Sequence, residues 1–350
     1  MKILVRGTNW IGDAAMSVPA LRRLRSVFPE AHISLLTRDW AEGVFQDADF
    51  VDEIITIDGA IPRIRSIFRQ VRDLRRRKFD LSILLPNSFE SALVVRLGGT
   101  KRVYGYSTDG RRLLLTDPVA VPEWKNTRHE VFYYLNLVDA VARDTLGTAA
   151  SFDHEPDTSL AVSDVRQQAA RAFLTELGIN RLRPIVALAP GSKNSRAKRW
   201  SPDRYAELAA RLIRELGANV ILVGATDERD ISETVSRLSA ENVVDLTGKT
   251  SLAEAAAVLS VCDLLVANDM GLAHLAPAAG TQTLVIFGPT DPRTTRPFGK
   301  NVAVARVDVE CSPCMLRDCP IDHRCMTRIS VDDIFQMSRR LLDSSLEENE

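Results

Sequence analysis

Residues 2–25, KILVRGTNWIGDAAMSVPALRRLR, run from a short apolar strand pattern through a glycine-bearing turn into a helical pattern. A strand followed at once by a helix is the opening of a βαβ unit, so this stretch points to a parallel sheet. Gly7 and Gly12 are spaced as in the phosphate-cradling loop G-x-x-x-x-G-K-[ST], yet Asp13 and Ala14 follow them. A turn that gathers backbone N–H groups at a helix start normally attracts anions. Here a carboxylate stands where that loop needs its cation.

The alternation continues outward from this unit. HISLLT, DEIITI and DLSILLP read as strands, with helices near AEGVFQ and from about residue 64 to 78 between them. A helix near SALVVRL, the stretches KRVYGY and RRLLLTDPVAV, and a long helix around EVFYYLNLVDAVARD follow. Residues 147–163, GTAASFDHEPDTSLAVS, lose all periodicity and read as a linker. Beyond it the helix VRQQAARAFLTELG leads into a second alternating series, with PIVALAP, NVILVG, NVVDLT, DLLVAND and TQTLVIFG as its strands. The expected fold is α/β, two Rossmann-like doubly wound domains over residues 1–160 and 161–330 facing across a cleft. Residues 331–350 carry a last helix, VDDIFQMSRRLLDSSL, that could pack back on the first domain.

Composition bounds the function. With 45% hydrophobic and 26% charged residues, the 350-residue chain is an ordinary globular one. A net charge of −1 gives no global pull toward nucleic acid, and none is expected as a partner. The run Arg75–Lys78, RRRK, reads first as a solvated helix face. No signal peptide and no long apolar span is seen, so the expected place is the cytoplasm, with peripheral attachment at the inner face of the cytoplasmic membrane allowed. Cys311, Cys314, Cys319 and Cys325 crowd into CSPCMLRDCPIDHRC; they read first as a reduced surface loop, with structural zinc ligation as the alternative. Cys262 reads as a small buried hydrophobe.

Three strand-to-helix loops of the second half carry chemistry. GSKNSRAKRW places Ser192, Lys193, Lys198 and Arg199 ahead of a helix with Ser201 as N-cap and Pro202 at N1, an arrangement suited to a diphosphate. ATDERD sets Asp227 and Glu228 where an acid could accept from ribose hydroxyls. DLLVANDMGLAHL ends a strand at Asn268 and Asp269 and opens a helix whose N-terminus could stabilise a departing diphosphate.

The run DMGLAH from Asp269 to His274, the loop PGSKNSRAKRW, the helix start KTSLAEAAAVL and the opening NWIGDAAMSVPALRRLR together resemble the bacterial heptosyltransferases of glycosyltransferase family 9. LLPNSFESALVVRLGGTKRVYGY resembles the family's lipopolysaccharide heptosyltransferase II branch, and the resemblance runs from about Met1 to Ser330. It implies a GT-B architecture, with an acceptor-binding first domain and a nucleotide-sugar-binding second. It further implies inverting, metal-independent transfer from ADP-L-glycero-D-manno-heptose to heptosylated Kdo2-lipid A, with no cofactor. By motif position Asp13 matches the catalytic base and Lys198 the cation near the diphosphate. Asp269, Met270, Gly271, Leu272 and His274 fall in the donor loop, Thr250 and Glu228 near the nucleoside, and Ser192, Lys193 and Asn194 on a looser match.

The acceptor core is anionic through carboxylates and phosphates, so basic residues of the first domain are its candidate partners. These are Arg63, Arg65, Arg102, Arg111, Arg112 and Arg128, with Gly12, Asn87 and Ser88 on loops beside them. The rival readings are heptosyltransferase I or III, another GT-B nucleotide-sugar enzyme such as an epimerase, and a nucleotide-sugar sensor without catalysis. Asp13 discriminates the last, since a sensor tolerates its loss.

Overall fold

The computed structural model describes residues 1–147, 155–193 and 195–347, so residues 148–154 of the expected linker, Asn194 and the last three residues lie outside what is described. The chain divides into two compact units, Met1–Thr158 and Ser159–Glu350.

The first unit is built on six strands: β1 (Lys2–Arg6), β2 (His32–Arg38), β3 (Glu53–Ile57), β4 (Leu81–Leu84), β5 (Arg102–Tyr106) and β6 (Asp117–Val119). All pair in parallel in the order β3-β2-β1-β4-β5-β6. The central strands bury both faces, which is why they read as unbroken apolar runs. On one face Leu4, Leu36 and Leu84 meet Leu74 of the Arg63–Arg77 helix and Val94 and Val95 of the Phe89–Leu97 helix. The Val18–Val27 and Glu130–Leu146 helices pack against each other. The opening helical pattern is broken in two, Ile11–Met16 and Val18–Val27, because Pro19 has no N–H to return to the preceding turn. RRLLL forms a 3-10 turn, Arg111–Leu114, rather than part of a strand.

The second unit repeats the plan with β7 (Ile185–Ala189), β8 (Asn219–Leu222), β9 (Val243–Asp245), β10 (Leu264–Asn268), β11 (Gln282–Ile286) and β12 (Val302–Ala305). The order is β12-β11-β10-β7-β8-β9, again all parallel. Strand β12 lies beyond the last strand read from the sequence. The final helix, Val331–Glu347, puts Ile334, Phe335 and Leu342 into this unit's own core with Val266 and Ile286. Its apolar face therefore belongs to the second unit, where the sequence left it free to pack on the first domain. Among the described residues no helix is long and apolar enough to cross a membrane.

In both sheets the strand order reverses beside the first strand of the unit, between β1 and β4 and between β7 and β10. Ligands of open α/β sheets bind beyond the carboxyl ends of the strands at such a reversal. The loops that carry Asp13, Asn87 and Ser88 follow β1 and β4, and those that carry Ser192, Lys198, Asp269 and Gly271 follow β7 and β10.

Candidate active site

In the first unit the β1 loop delivers Gly12 and Asp13 into the first turn of the Ile11–Met16 helix, both half-buried. The Tyr134 hydroxyl, from the Glu130–Leu146 helix, donates to Asp13 Oδ1 at 3.0 Å. Burial, then the charge of Asp13, holds the Tyr134 phenol well above its ordinary pKa, so it stays protonated and remains a donor. A side chain that always donates fixes the orientation of the carboxylate. Tyr134 escaped the sequence reading because its helix looks like an ordinary amphipathic one.

A second feature also escaped it. A cavity of about 460 Å³ beside the β1 loop is lined by Arg6, Asn9, Arg38, Arg63, Ser88 and Glu90. Arg6 is only 5% exposed and donates to Asn9 Oδ1 at 2.7 Å and to the backbone oxygens of Leu36 and Gly7, not to a carboxylate. Burial lowers its pKa to about 9; Arg38 pushes it the same way and Glu90 opposes. The guanidinium therefore stays charged at neutral pH, with Arg38 adding like charge. Glu90 is already engaged by Arg63 Nε at 2.5 Å. Buried Nε of Arg38 has no hydrogen-bond partner among the described residues, and its guanidinium lies 5.3 Å from the Trp40 ring centre. Two buried or half-buried cations sharing one distracted carboxylate favour an anion in the cavity.

The other basic candidates sort by burial. Arg111 is fully buried and donates to the carbonyls of Tyr106 (3.0 Å) and Pro86 and to Asn87 Oδ1 (3.2 Å). Burial lowers its pKa to about 10. It braces the β4 loop from within, which corrects its expected place at an acceptor: no solvent reaches it. Asn87 is spent on Arg111 and on the Tyr133 hydroxyl, while Ser88 caps the Phe89–Leu97 helix and lines the cavity. Arg102 is held by Asp117 and Asp144, and Arg128 lies over the Trp124 and Phe132 rings. Arg65 and Arg112 are exposed.

In the second unit Asn268, at the end of β10, binds the β7 loop to itself. Its Nδ2 donates to the carbonyls of Pro190 (2.8 Å) and Gly191 (3.0 Å), and its Oδ1 accepts from Trp200 N (3.0 Å). Next to it Asp269 is buried and pairs with Lys198 Nζ at 2.7 Å, while Thr290 donates to the same oxygen at 2.7 Å. Asp269 thus fixes the position of the Lys198 ammonium. Arg199 donates to the carbonyl of buried Ser192. Met270 is the N-cap of the Gly271–Ala278 helix, in which Leu272 and His274 are buried.

Glu228 and its neighbour Asp227 are told apart by burial. Asp227 is exposed and pairs with exposed Lys193 at 2.8 Å, so neither is drawn into the loop. Glu228 is 3% exposed; Oε2 accepts from Ala225 N at 2.9 Å, and buried Oε1 has no partner among the described residues. Burial raises its pKa. A Cβ on Gly191 would stand 2.1 Å from Oε1, so only glycine lets this carboxylate lie against the β7 loop. A ribose hydroxyl could reach this buried oxygen only if the surrounding loops give way on binding. Thr250 is half-buried just ahead of Ser251, whose hydroxyl and Glu254 form the capping box of the Leu252–Leu259 helix.

The cysteine-rich segment has a structural part that the sequence did not show. Cys311, Cys314, Cys319 and Cys325 are free thiols, and among the described residues no three His, Cys, Asp or Glu side chains are placed to hold a metal ion. Cys325 is turned into the core against Gly288 while Cys314 is exposed, and burial, then the nearby thiols of Cys311, Cys314 and Cys319, raise the pKa of Cys325. The segment braces the Lys198 loop. His323 Nε2 lies 2.5 Å from the Ala197 carbonyl, Ala197 N donates to the Arg317 carbonyl at 2.9 Å, and Ser195 Oγ donates to the same oxygen at 3.1 Å. Cys262 is buried, as the sequence suggested.

The sequence description of glycosyltransferase family 9 (heptosyltransferase) matches residues 67–324. Lipopolysaccharide heptosyltransferase 2 of Escherichia coli is 30% identical over 315 residues, 88% of this chain and 88% of the relative. The solved E. coli ADP-heptose LPS heptosyltransferase II superposes with a TM-score of 0.81 at 27% identity, covering 100% of both chains. A family 9 glycosyl transferase from Veillonella parvula has the same fold, with a TM-score of 0.82 at 21% identity over 98% of this chain and 97% of that one. Asp13 and Lys198 thus lie on the loops of a doubly wound pair of GT-B type, and the chain belongs to glycosyltransferase family 9, the heptosyltransferases.

Proposed function

We propose that this glycosyltransferase moves L-glycero-D-manno-heptose from ADP-heptose to the heptose of heptosyl-Kdo2-lipid A, with inversion at the transferred carbon. The observation that carries the donor half is Lys198, fixed by buried Asp269 beside the first turn of the Gly271–Ala278 helix. A fixed cation and oriented N–H groups stabilise charge as it develops on a leaving diphosphate. Lys198 supplies that charge, so the reading calls for no metal. Glu228 recognises the ADP ribose through its unpartnered Oε1, which is buried in this structure and is uncovered as the donor binds.

On the acceptor side, Asp13 takes the proton of the attacking hydroxyl. The oxygen then bonds to the anomeric carbon, and the carbon–oxygen bond to ADP breaks with its electron pair on the diphosphate. Tyr134 holds the base in place. Arg6, Arg38 and Arg63 give the acceptor's carboxylates or phosphates a partner. Because that acceptor is lipid-anchored, the reading places the reaction at the inner face of the cytoplasmic membrane.

The test mixes the protein with ADP-heptose and acceptors bearing zero, one or two heptoses, and follows product mass. The one-heptose acceptor should be preferred. Preference for the bare or the doubly heptosylated acceptor refutes the assignment, and failure of all three refutes the donor or the chemistry.

A further inference from the structure

The Arg63–Arg77 helix, RIRSIFRQVRDLRRR, carries seven arginines against one acid, Asp73. Its inner side supplies Ile67, Val71 and Leu74 to the core of the first unit. Its outer side is a continuous stripe of Arg65, Phe68, Arg69, Arg72 and Arg76, spaced three and four residues apart. Phe68 is 71% exposed and Ile64, one turn before it, 70%. Arg65, Arg69 and Arg76 have no carboxylate partner among the described residues, and Arg72 has only a loose 3.8 Å approach to adjacent Asp73. An open groove lies over the same residues. The 3-10 turn Arg111–Leu114 contributes to the same side of the sheet and shows exposed Arg112 and Leu113.

Scattered exposed apolar residues need no explanation, but two bulky ones set a turn apart within a stripe of unneutralised arginines have a specific complement. Guanidiniums match phosphate oxygens, and an aromatic ring between them enters the boundary of an acyl layer. We propose that this outer face docks the protein on an anionic phospholipid bilayer. Opposite charge on the bilayer supplies the attraction, and Ile64 and Phe68 supply the apolar contact. Nucleic acid would match the arginines but leave Ile64 unused. The same helix gives Arg63, Ser66 and Gln70 to the cavity holding Arg6 and Arg38, so a docked protein would present that cavity close to the lipid headgroups. The proposal draws its purpose from the lipid-anchored acceptor, but vesicle binding tests it without any transfer.

The experiment is co-sedimentation of the full chain with vesicles of phosphatidylglycerol in phosphatidylethanolamine, and with phosphatidylcholine vesicles as the uncharged comparison. Wild type should bind the first and not the second, and about 0.5 M salt should release it. At about fivefold per arginine, Arg72→Gln with Arg76→Gln should weaken binding about 25-fold, and the Glu pair further. Phe68→Ser should weaken it with the salt dependence retained. Unchanged melting of each variant, and unchanged transfer to a delipidated acceptor, exclude misfolding. Wild type that ignores phosphatidylglycerol, variants that bind as well as wild type, or retention of an RNA oligonucleotide without vesicle binding each overturn the proposal. If vesicles bind but no heptose is transferred, the transfer reading fails and the docking surface stands.

Discussion

Replacing Glu228 by Gln should stabilise the protein and weaken its hold on the donor. The carboxylate is 3% exposed, one oxygen accepts from Ala225 N, and the other has no described partner. Burial raises its pKa, so the folded state prefers the protonated form. Stability from this group is therefore fully present below the unfolded carboxyl value and is lost as pH rises through the higher folded one. Above the unfolded carboxyl value its burial therefore weighs against folding. Leaving a buried polar atom unsatisfied costs about 1–3 kcal/mol. Glu228→Gln keeps an oxygen for Ala225 N and removes the charge, but leaves an amide N–H₂ in place of Oε1, so a gain of about 1 kcal/mol is expected. For a unit of this size that is a rise of about 2–4 °C in its calorimetric Tm at pH 7, shrinking toward zero as pH falls below about 4. If Oε1 accepts from a ribose hydroxyl, losing that charge-assisted bond costs about 1.5–3 kcal/mol, a 10- to 100-fold rise in the ADP-heptose KM with the acceptor KM unchanged. A variant that melts lower than wild type at pH 7, or one that alters only the acceptor KM, would refute the reasoning.

Asp13→Ala should lower kcat by about 10²–10⁴-fold while ADP still binds in calorimetry, and near-wild-type turnover would remove Asp13 as the base. Tyr134→Phe keeps the ring but loses the bond to Asp13; it should cost about 10- to 100-fold in kcat with both KM values close to wild type. Arg38→Gln should raise the acceptor KM about tenfold and leave the donor KM alone, and wild type should show the same loss with an acceptor methyl-esterified at its carboxylates or stripped of its phosphates. Lys198→Ala should weaken ADP binding and also lower stability by about 3–5 kcal/mol, because it strands buried Asp269; Lys198→Ala combined with Asp269→Asn should recover the stability but not the turnover.

The sequence by itself determined the parallel α/β plan and the loops that matter. Apolar strands alternating with helical periods leave a parallel sheet as the one way to bury both, and the strand-to-helix loops are where such a sheet binds its ligands, while the strand order that singles out the loops after the first and fourth strands is seen only in the structure. The place of Asp13 and Lys198 on strand-to-helix loops is legible because they lie seven and nine residues beyond the ends of β1 and β7. The partners that set their chemistry are not local. Tyr134 meets Asp13 across 121 residues, Asp269 meets Lys198 from another strand, and His323 reaches Ala197 across 126 residues. Nor does a chain pattern show that Arg111 is walled in while Arg6 and Arg38 line a cavity, since all three are the same residue type beside strand ends or turns. Helix and strand periods are short-range properties of the chain, whereas burial and the pairing of charges arise only when distant segments pack.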